Sequence, residues 1–180
     1  MILNSLLSVV RPESAMVHIL QARQEKSPGL ELALQYASRK TGSSRLPDIL
    51  IYPDTLPDAR VAGGFFGGRT LLVSQGALSS FRDDEVVAVI SRGLELLSQR
   101  GIGIKTLCSA WHMEFEKSLR QPWTPLRAVV LWTLLPLRNF FKRQDQKLNV
   151  FRATQRKDAT EDRVWRDALH KVSCSERIFS

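Results

Sequence analysis

Cysteine and histidine are scarce in this chain of 180 residues: Cys108 and Cys174 are the two thiols, and His18, His112 and His170 the three imidazoles. Two thiols cannot build a disulfide-rich scaffold or a four-thiolate zinc cage, and they read as reduced cysteines. No apolar run reaches the about 20 residues that a membrane-spanning helix needs. The longest, AVVLWTLLPL from Ala128 to Leu137, is closed by Arg127 and Arg138 and contains Pro136. The first ten residues, MILNSLLSVV, have no basic residue ahead of them and run into Arg11-Pro12-Glu13, so a secretory signal is not expected. The expectation is a cytoplasmic protein, with contact to a membrane surface as an open option. Acids are also in short supply. Lys plus Arg number 26 against 18 Asp plus Glu, a formal charge of +8, which favours an anionic partner. With 43% hydrophobic and 24% charged residues the composition is that of a folded domain, which excludes wholesale disorder and collagen-like repeats.

What is present has the periodicity of a mixed domain. Ala15, Ile19 and Ala22 predict a short helix within 13–26, broken by Ser27-Pro28-Gly29. Leu30, Ala33, Leu34 and Ala37 predict a second helix to Lys40. Asp48 to Tyr52 reads as a strand stopped by Pro53. Ala62 to Phe66 and Arg69 to Ser74, on either side of Gly67-Gly68, read as a hairpin. A helix is expected from Arg82, where Asp83, Asp84 and Glu85 suit the positive end of the helix dipole. Its stripe is Val86, Val89, Ile90, Gly93, Leu94 and Leu97, and Gly101 closes it. Further helices are expected over 106–119 and 156–172. Residues 138–157 hold seven basic groups and one acid, Asp145. No internal repeat or low-complexity segment interrupts the chain.

The order of these pieces resembles the HtpX-like membrane metallopeptidases, a gluzincin family, over roughly residues 30–172. The stretch LPDILIYPDTLPDARVAGGFFGGRTLLVSQGAL looks like that family's run from its first strand. Asp58-Ala59-Arg60-Val61 stands where an Asn-Ala-Phe-Ala-like string is found, and Gln75-Gly76-Ala77-Leu78 where a Thr-Gly-Leu-Leu-like string is found. DDEVVAVI then resembles the approach to the zinc helix. The resemblance implies an α+β fold with a gluzincin-like core: a small mixed sheet with a hairpin, packed against helices. It places the main domain at 30–180, after an N-terminal helical segment at 1–29 and with a short apolar insert near 126–141.

At the place of the H-E-x-x-H motif, however, the chain reads Arg92-Gly93-Leu94-Glu95-Leu96. Two imidazoles one helical turn apart bind Zn²⁺ through neutral nitrogens, and the glutamate between them acts as base on the metal-bound water. Arg92 carries a permanent charge and only donates, Gly93 has no carboxylate, and Leu96 has no ligand atom. The resemblance also implies a third ligand and a supporting Asp four residues on. Asp158 and Asp162 keep that spacing, with Asp158 a shorter carboxylate than the family's Glu. In such a fold Arg92 would stand in for the metal's charge and meet Asp158 or Asp162.

No catalytic residue, metal ligand or cofactor is therefore assigned. The expected function is that of a non-catalytic pseudopeptidase with a binding or regulatory role. The alternatives are an active zinc peptidase with unusual ligands and a basic nucleic-acid-binding protein. Two surfaces are candidates for contact. Ala62, Gly63, Gly64, Phe65 and Phe66 offer a strand edge for an extended peptide. Trp132, Leu135, Phe140 and Phe141, followed by Lys142 and Arg143, have the make-up of an interfacial helix on an anionic membrane. A protein or peptide partner is expected first and an anionic membrane surface second. Nucleic acid ranks below both, since no helix-turn-helix or zinc-finger pattern accompanies the basic stretch. His112 and Glu116, spaced four apart, form a weaker metal candidate. The pairs Gly63-Gly64 and Gly67-Gly68 lack the Lys-Ser/Thr of a phosphate loop.

Overall fold

The computed structural model describes residues 11–24, 28–42, 45–119, 137–151 and 163–178. Its centre is a three-stranded sheet. Strands β1 (Asp48–Tyr52), β2 (Ala59–Gly63) and β3 (Arg69–Ser74) lie in the order β1-β3-β2. β3 is parallel to β1, with Leu50 opposite Leu72, and antiparallel to β2, with Val61 opposite Leu71. Thr70 to Ser74 are all buried, because helices cover both faces of the sheet. That is why β3 reads as the unbroken run Thr-Leu-Leu-Val rather than as an alternating strand.

Seven helices surround the sheet among the described residues. They are α1 (Pro12–Ile19), α2 (Pro28–Thr41), α3 (Gln75–Ser80), α4 (Asp83–Leu97), α5 (Ile102–Leu119), α6 (Arg138–Leu148) and α7 (Arg163–Ile178). The chain is thus α+β, as the sequence predicts. α2 and α4 pack together, α5 pairs with α6, and α7 lies on α4. α1, which the sequence places in a segment of its own, puts Met16 into the same core as Leu71 and Leu94. None of the described helices is long and apolar enough to cross a membrane.

Local chemistry sets the boundaries. The hairpin turn is one residue run earlier than its apolar pattern suggests: β2 ends at Gly63, and Gly64 N–H donates to Gly68 C=O at 2.7 Å. Ser74 caps α3 by accepting from Ala77 N–H at 3.0 Å, while its hydroxyl donates to Leu56 C=O at 2.7 Å. α3 is six residues long, too short to show a helical period, which is why the sequence pattern misses it. α4 opens with Glu85 reaching back to the Arg82 N–H at 2.7 Å. α5 starts at Ile102, four residues ahead of the expected start. α6 occupies part of the basic stretch that the sequence left without an assigned element.

α7 is held by an aromatic stack on Phe151 and by charged ties to the start of α4. Trp165 is fully buried and lies on Phe151 with ring centroids 5.6 Å apart and an interplanar angle of 7°. Phe151 in turn meets Phe81 at 5.7 Å. Nearby, the Glu85 side chain is wholly enclosed and accepts from Lys171 Nζ at 2.7 Å. Burial pushes the Glu85 carboxyl up. The Lys171 and Arg82 hydrogen bonds and their positive charges outweigh that push and hold it below the ordinary 4.5.

Two outcomes follow. Replacing Trp165 by Ala removes a fully buried ring, so urea unfolding should show a loss of about 3–5 kcal/mol. The Glu85 carboxyl has a lower pKa folded than unfolded. Its contribution is therefore complete above the unfolded value and disappears as pH falls through the folded one. Thermal melts should show stability dropping as pH is lowered below 4.5, and Glu85→Gln should remove that part of the pH dependence.

Candidate functional site

Arg92, Gly93 and Leu96, the residues that the resemblance sets at the zinc motif's place, lie on α4, and each has a structural contact. Arg92 Nη1 lies 2.9 Å from Glu95 Oε2 on its own helix. Leu96, one turn on from Arg92, is buried among core residues. Gly93 faces the sheet. A Cβ built there would stand 2.6 Å from Leu71 Cδ1, closer than real carbon contacts come. Leu71 is fully buried on the central strand, so its methyl has nowhere to retreat without disturbing the core. Glycine is what allows α4 to approach β3 so closely. Asp158, Asp162, Trp132 and Leu135 lie outside the described residues, so the expected meeting of Arg92 with Asp158 or Asp162 has no geometry here. The ties that α7 makes to α4 through Lys171–Glu85 and Arg82–Asp167 involve only the first turn of α4 and the residue before it. Among the described residues no three of His, Cys, Asp or Glu gather in the manner of a metal site. His18, His112 and His170 sit on α1, α5 and α7 respectively. Glu116 is taken by Arg138 at 2.9 Å. His170 has Cys174 for a neighbour, with Sγ 3.7 Å from Nδ1.

A second arrangement joins the sheet to the α5–α6 pair. Asp58 Oδ2 accepts from Tyr52 Oη at 2.8 Å and from Arg60 Nε at 2.9 Å, and its other oxygen accepts from Asn149 Nδ2. Arg60 Nη1 donates to Asp145 Oδ1 at 2.9 Å, and Ser109 Oγ donates to the same oxygen. The backbone N–H of Asp58 is held by Ser74 Oγ at 2.8 Å. Burial disfavours charge on Arg60, but Asp58 and Asp145 more than compensate and keep the guanidinium firmly protonated. Burial first, then the Asp58 charge, holds the Tyr52 phenol neutral, its pKa well above the ordinary 10.0. Asp58 through both oxygens and Asp145 through Oδ1 bind groups of this chain, so the cluster acts as a tie between strands and helices.

Part of this cluster is legible in the residue spacing. Asp58 and Arg60 are two apart, which sets them on one side of an extended chain. Asp145 is the single acid of the basic stretch, and it is the residue that Arg60 reaches across 85 positions. Nothing in the spacing announces that long-range pairing.

The two candidate surfaces fare differently. The expected free edge at Ala62 to Phe66 is corrected. Ala62 and Gly63 are buried, Gly64 to Gly67 form the turn, and the outer edge of β2 is met by the chain itself. Gly63 N–H donates to Thr106 Oγ1 at 2.9 Å, and Arg60 bridges to Asn149. Phe65 and Phe66 are left exposed at the tip. The hollow over Gly64 is filled by a carboxylate, since a Cβ there would lie 2.5 Å from Glu13 Oε2. An acid in that position is the reverse of a phosphate cradle. Of the membrane candidates, Phe141 is corrected to a buried position, edge-on to Trp111 at 6.0 Å. Phe140, Lys142 and Arg143 are exposed.

The fold is an α+β domain in which α4 packs on the central strand through Gly93. No protein-family model matches the chain, and no curated protein matches it either.

Removing the guanidinium with Arg60→Met leaves two mostly buried carboxylates uncompensated. Urea unfolding should register a loss of about 3 kcal/mol. A double-mutant cycle of Arg60→Ala with Asp145→Ala should give a coupling of about 1–2 kcal/mol. A coupling near zero would show that the tie between β2 and α6 contributes nothing.

Proposed function

We propose that the protein is a non-catalytic relative of the HtpX-like metallopeptidases: a pseudopeptidase that keeps the family's order of elements and serves a binding or regulatory role in the cytoplasm. The observation that carries this reading is the packing of α4 on β3. Gly93 stands where the general base would be, and the space beside it is filled by Leu71. A glutamate at that position would have to displace a buried leucine before it could reach a water. Arg92 stands where the first imidazole would be and is engaged with Glu95. A guanidinium donates hydrogen bonds and has no lone pair to give a metal. Leu96, at the second imidazole's place, contributes apolar contacts to the core.

Metal analysis of the purified full chain, paired with a proteolysis assay on an unfolded substrate protein, tests the reading. The expected result is zinc far below one ion per chain and no cleavage above the blank. One zinc per chain together with cleavage that a chelator abolishes would contradict it.

A further inference from the structure

We infer that the outer face of the α5–α6 pair, with the β2–β3 turn beside it, docks on an anionic phospholipid surface. This goes beyond the pseudopeptidase reading and does not rest on it, because the face lies away from the zinc-motif positions of α4.

α5 turns an apolar stripe away from its buried side. Its inner side carries Thr106, Ser109 and Ala110 against β2 and α6. Its outer side carries Ile104, Leu107 and Trp111, spaced three, four and seven apart and therefore on one stripe. A surface helix of a soluble domain normally turns polar residues outward. Here Ile104 is 60% exposed. The stripe is extended at both ends. Phe65 lies against Gly103 at the start of α5, its ring carbon 3.1 Å from where a Cβ would be, and Phe66 beside it is 85% exposed. At the other end Trp111 meets Phe141, and Phe141 meets Phe140 at 5.9 Å. Phe140 is 50% exposed, and Leu137 one turn before it is exposed as well. Single exposed apolar side chains need no explanation, but a row of them connected by contact does.

Charge identifies what covers the row. Phe140, Arg143 and Lys147 share one side of α6, and all three are exposed. Among the described residues Lys142, Arg143 and Lys147 enter no ion pair. Lys105 on α5 adds a further cation to this side, its Nζ donating to Gln99 Oε1 at 3.1 Å. Apolar side chains flanked by unpaired cations are what an interfacial element presents to anionic lipid, the first group entering the acyl boundary and the second meeting headgroup phosphates. A second copy of the chain fits poorly, because a two-fold contact would set Lys142, Arg143 and Lys147 near their own counterparts. Nucleic acid could stack on Phe66 and Phe140 but would leave the aliphatic Ile104 and Leu137 without a partner, so it stands as an outcome of the test.

Flotation of the full chain with vesicles is the test, using phosphatidylcholine with and without phosphatidylglycerol at low salt. The protein should float with the anionic vesicles and bind neutral ones at least about tenfold more weakly. Phe66→Ser combined with Ile104→Ser should weaken binding about tenfold, with far-UV circular dichroism and melting unchanged. Lys142→Gln combined with Arg143→Gln should weaken it roughly fivefold per charge and flatten its dependence on salt. Absence of flotation with anionic vesicles overturns the inference, as does flotation that neither pair of substitutions weakens. Conversion of a dimer to a monomer by the apolar pair, without vesicle binding, would assign the face to a second copy. Retention on RNA or duplex DNA without vesicle binding would assign it to nucleic acid.

Discussion

α4 lies against β3 at a separation that only a residue without a side chain allows, and much of the molecule is arranged around that approach. Gly93 meets Leu71, and Val89, Ile90, Leu94, Leu96 and Leu97 of the same helix belong to the same core. α2 packs on the far side of α4 and α7 covers its first turn, so displacing α4 would loosen three neighbours at once. Because β3 is the central strand, its side chains have no free face to move toward. The residues flanking Gly93 are likewise given over to structure: an arginine with an acidic partner on the same helix and a leucine in the core.

The second organising element is electrostatic. Asp58, Arg60 and Asp145 join the far end of the sheet to α6, with Tyr52, Asn149 and Ser109 completing the hydrogen bonds. Buried ion pairs contribute little net stability when compared with apolar residues of equal shape, but they are costly to break and they reject alternative pairings. Here the tie sets where α6 runs across β2, and it thereby closes the strand edge that a peptide would need. It also directs the outer side of the α5–α6 pair to the surface, with its apolar row and its cations together.

Elements with strong local signals were legible in the sequence. β1 is bounded as its apolar run and Pro53 indicate, and α4 begins where three acids follow Arg82. α2 follows its three-and-four spacing. The rest depended on information that no local window holds. α3 is a single capped turn without a period. β2 is displaced because Asp58 to Gly63 pair by backbone register and not by apolar alternation. The peptide-edge candidate failed because the groups that close it, Thr106 and Asn149, lie more than 40 residues away in sequence. Phe140 and Phe141 look alike in sequence, and only the helix phase separates the exposed ring from the buried one. At Arg92, Gly93 and Leu96 the absence of an imidazole or carboxylate is plain from the residue types. The reason for a glycine at position 93 became visible only through Leu71.

The closeness of α4 to β3 is tested most directly by Gly93→Ala, followed by urea unfolding. In a helix with open space, exchanging Gly for Ala stabilises by about 1 kcal/mol through backbone entropy. Against Leu71 the added methyl must be accommodated by overpacking, which costs about 1–3 kcal/mol. A net loss of stability is the predicted result. A gain of about the full helix-propensity increment would show room between helix and sheet, and would contradict the account of α4 as a helix given over to packing.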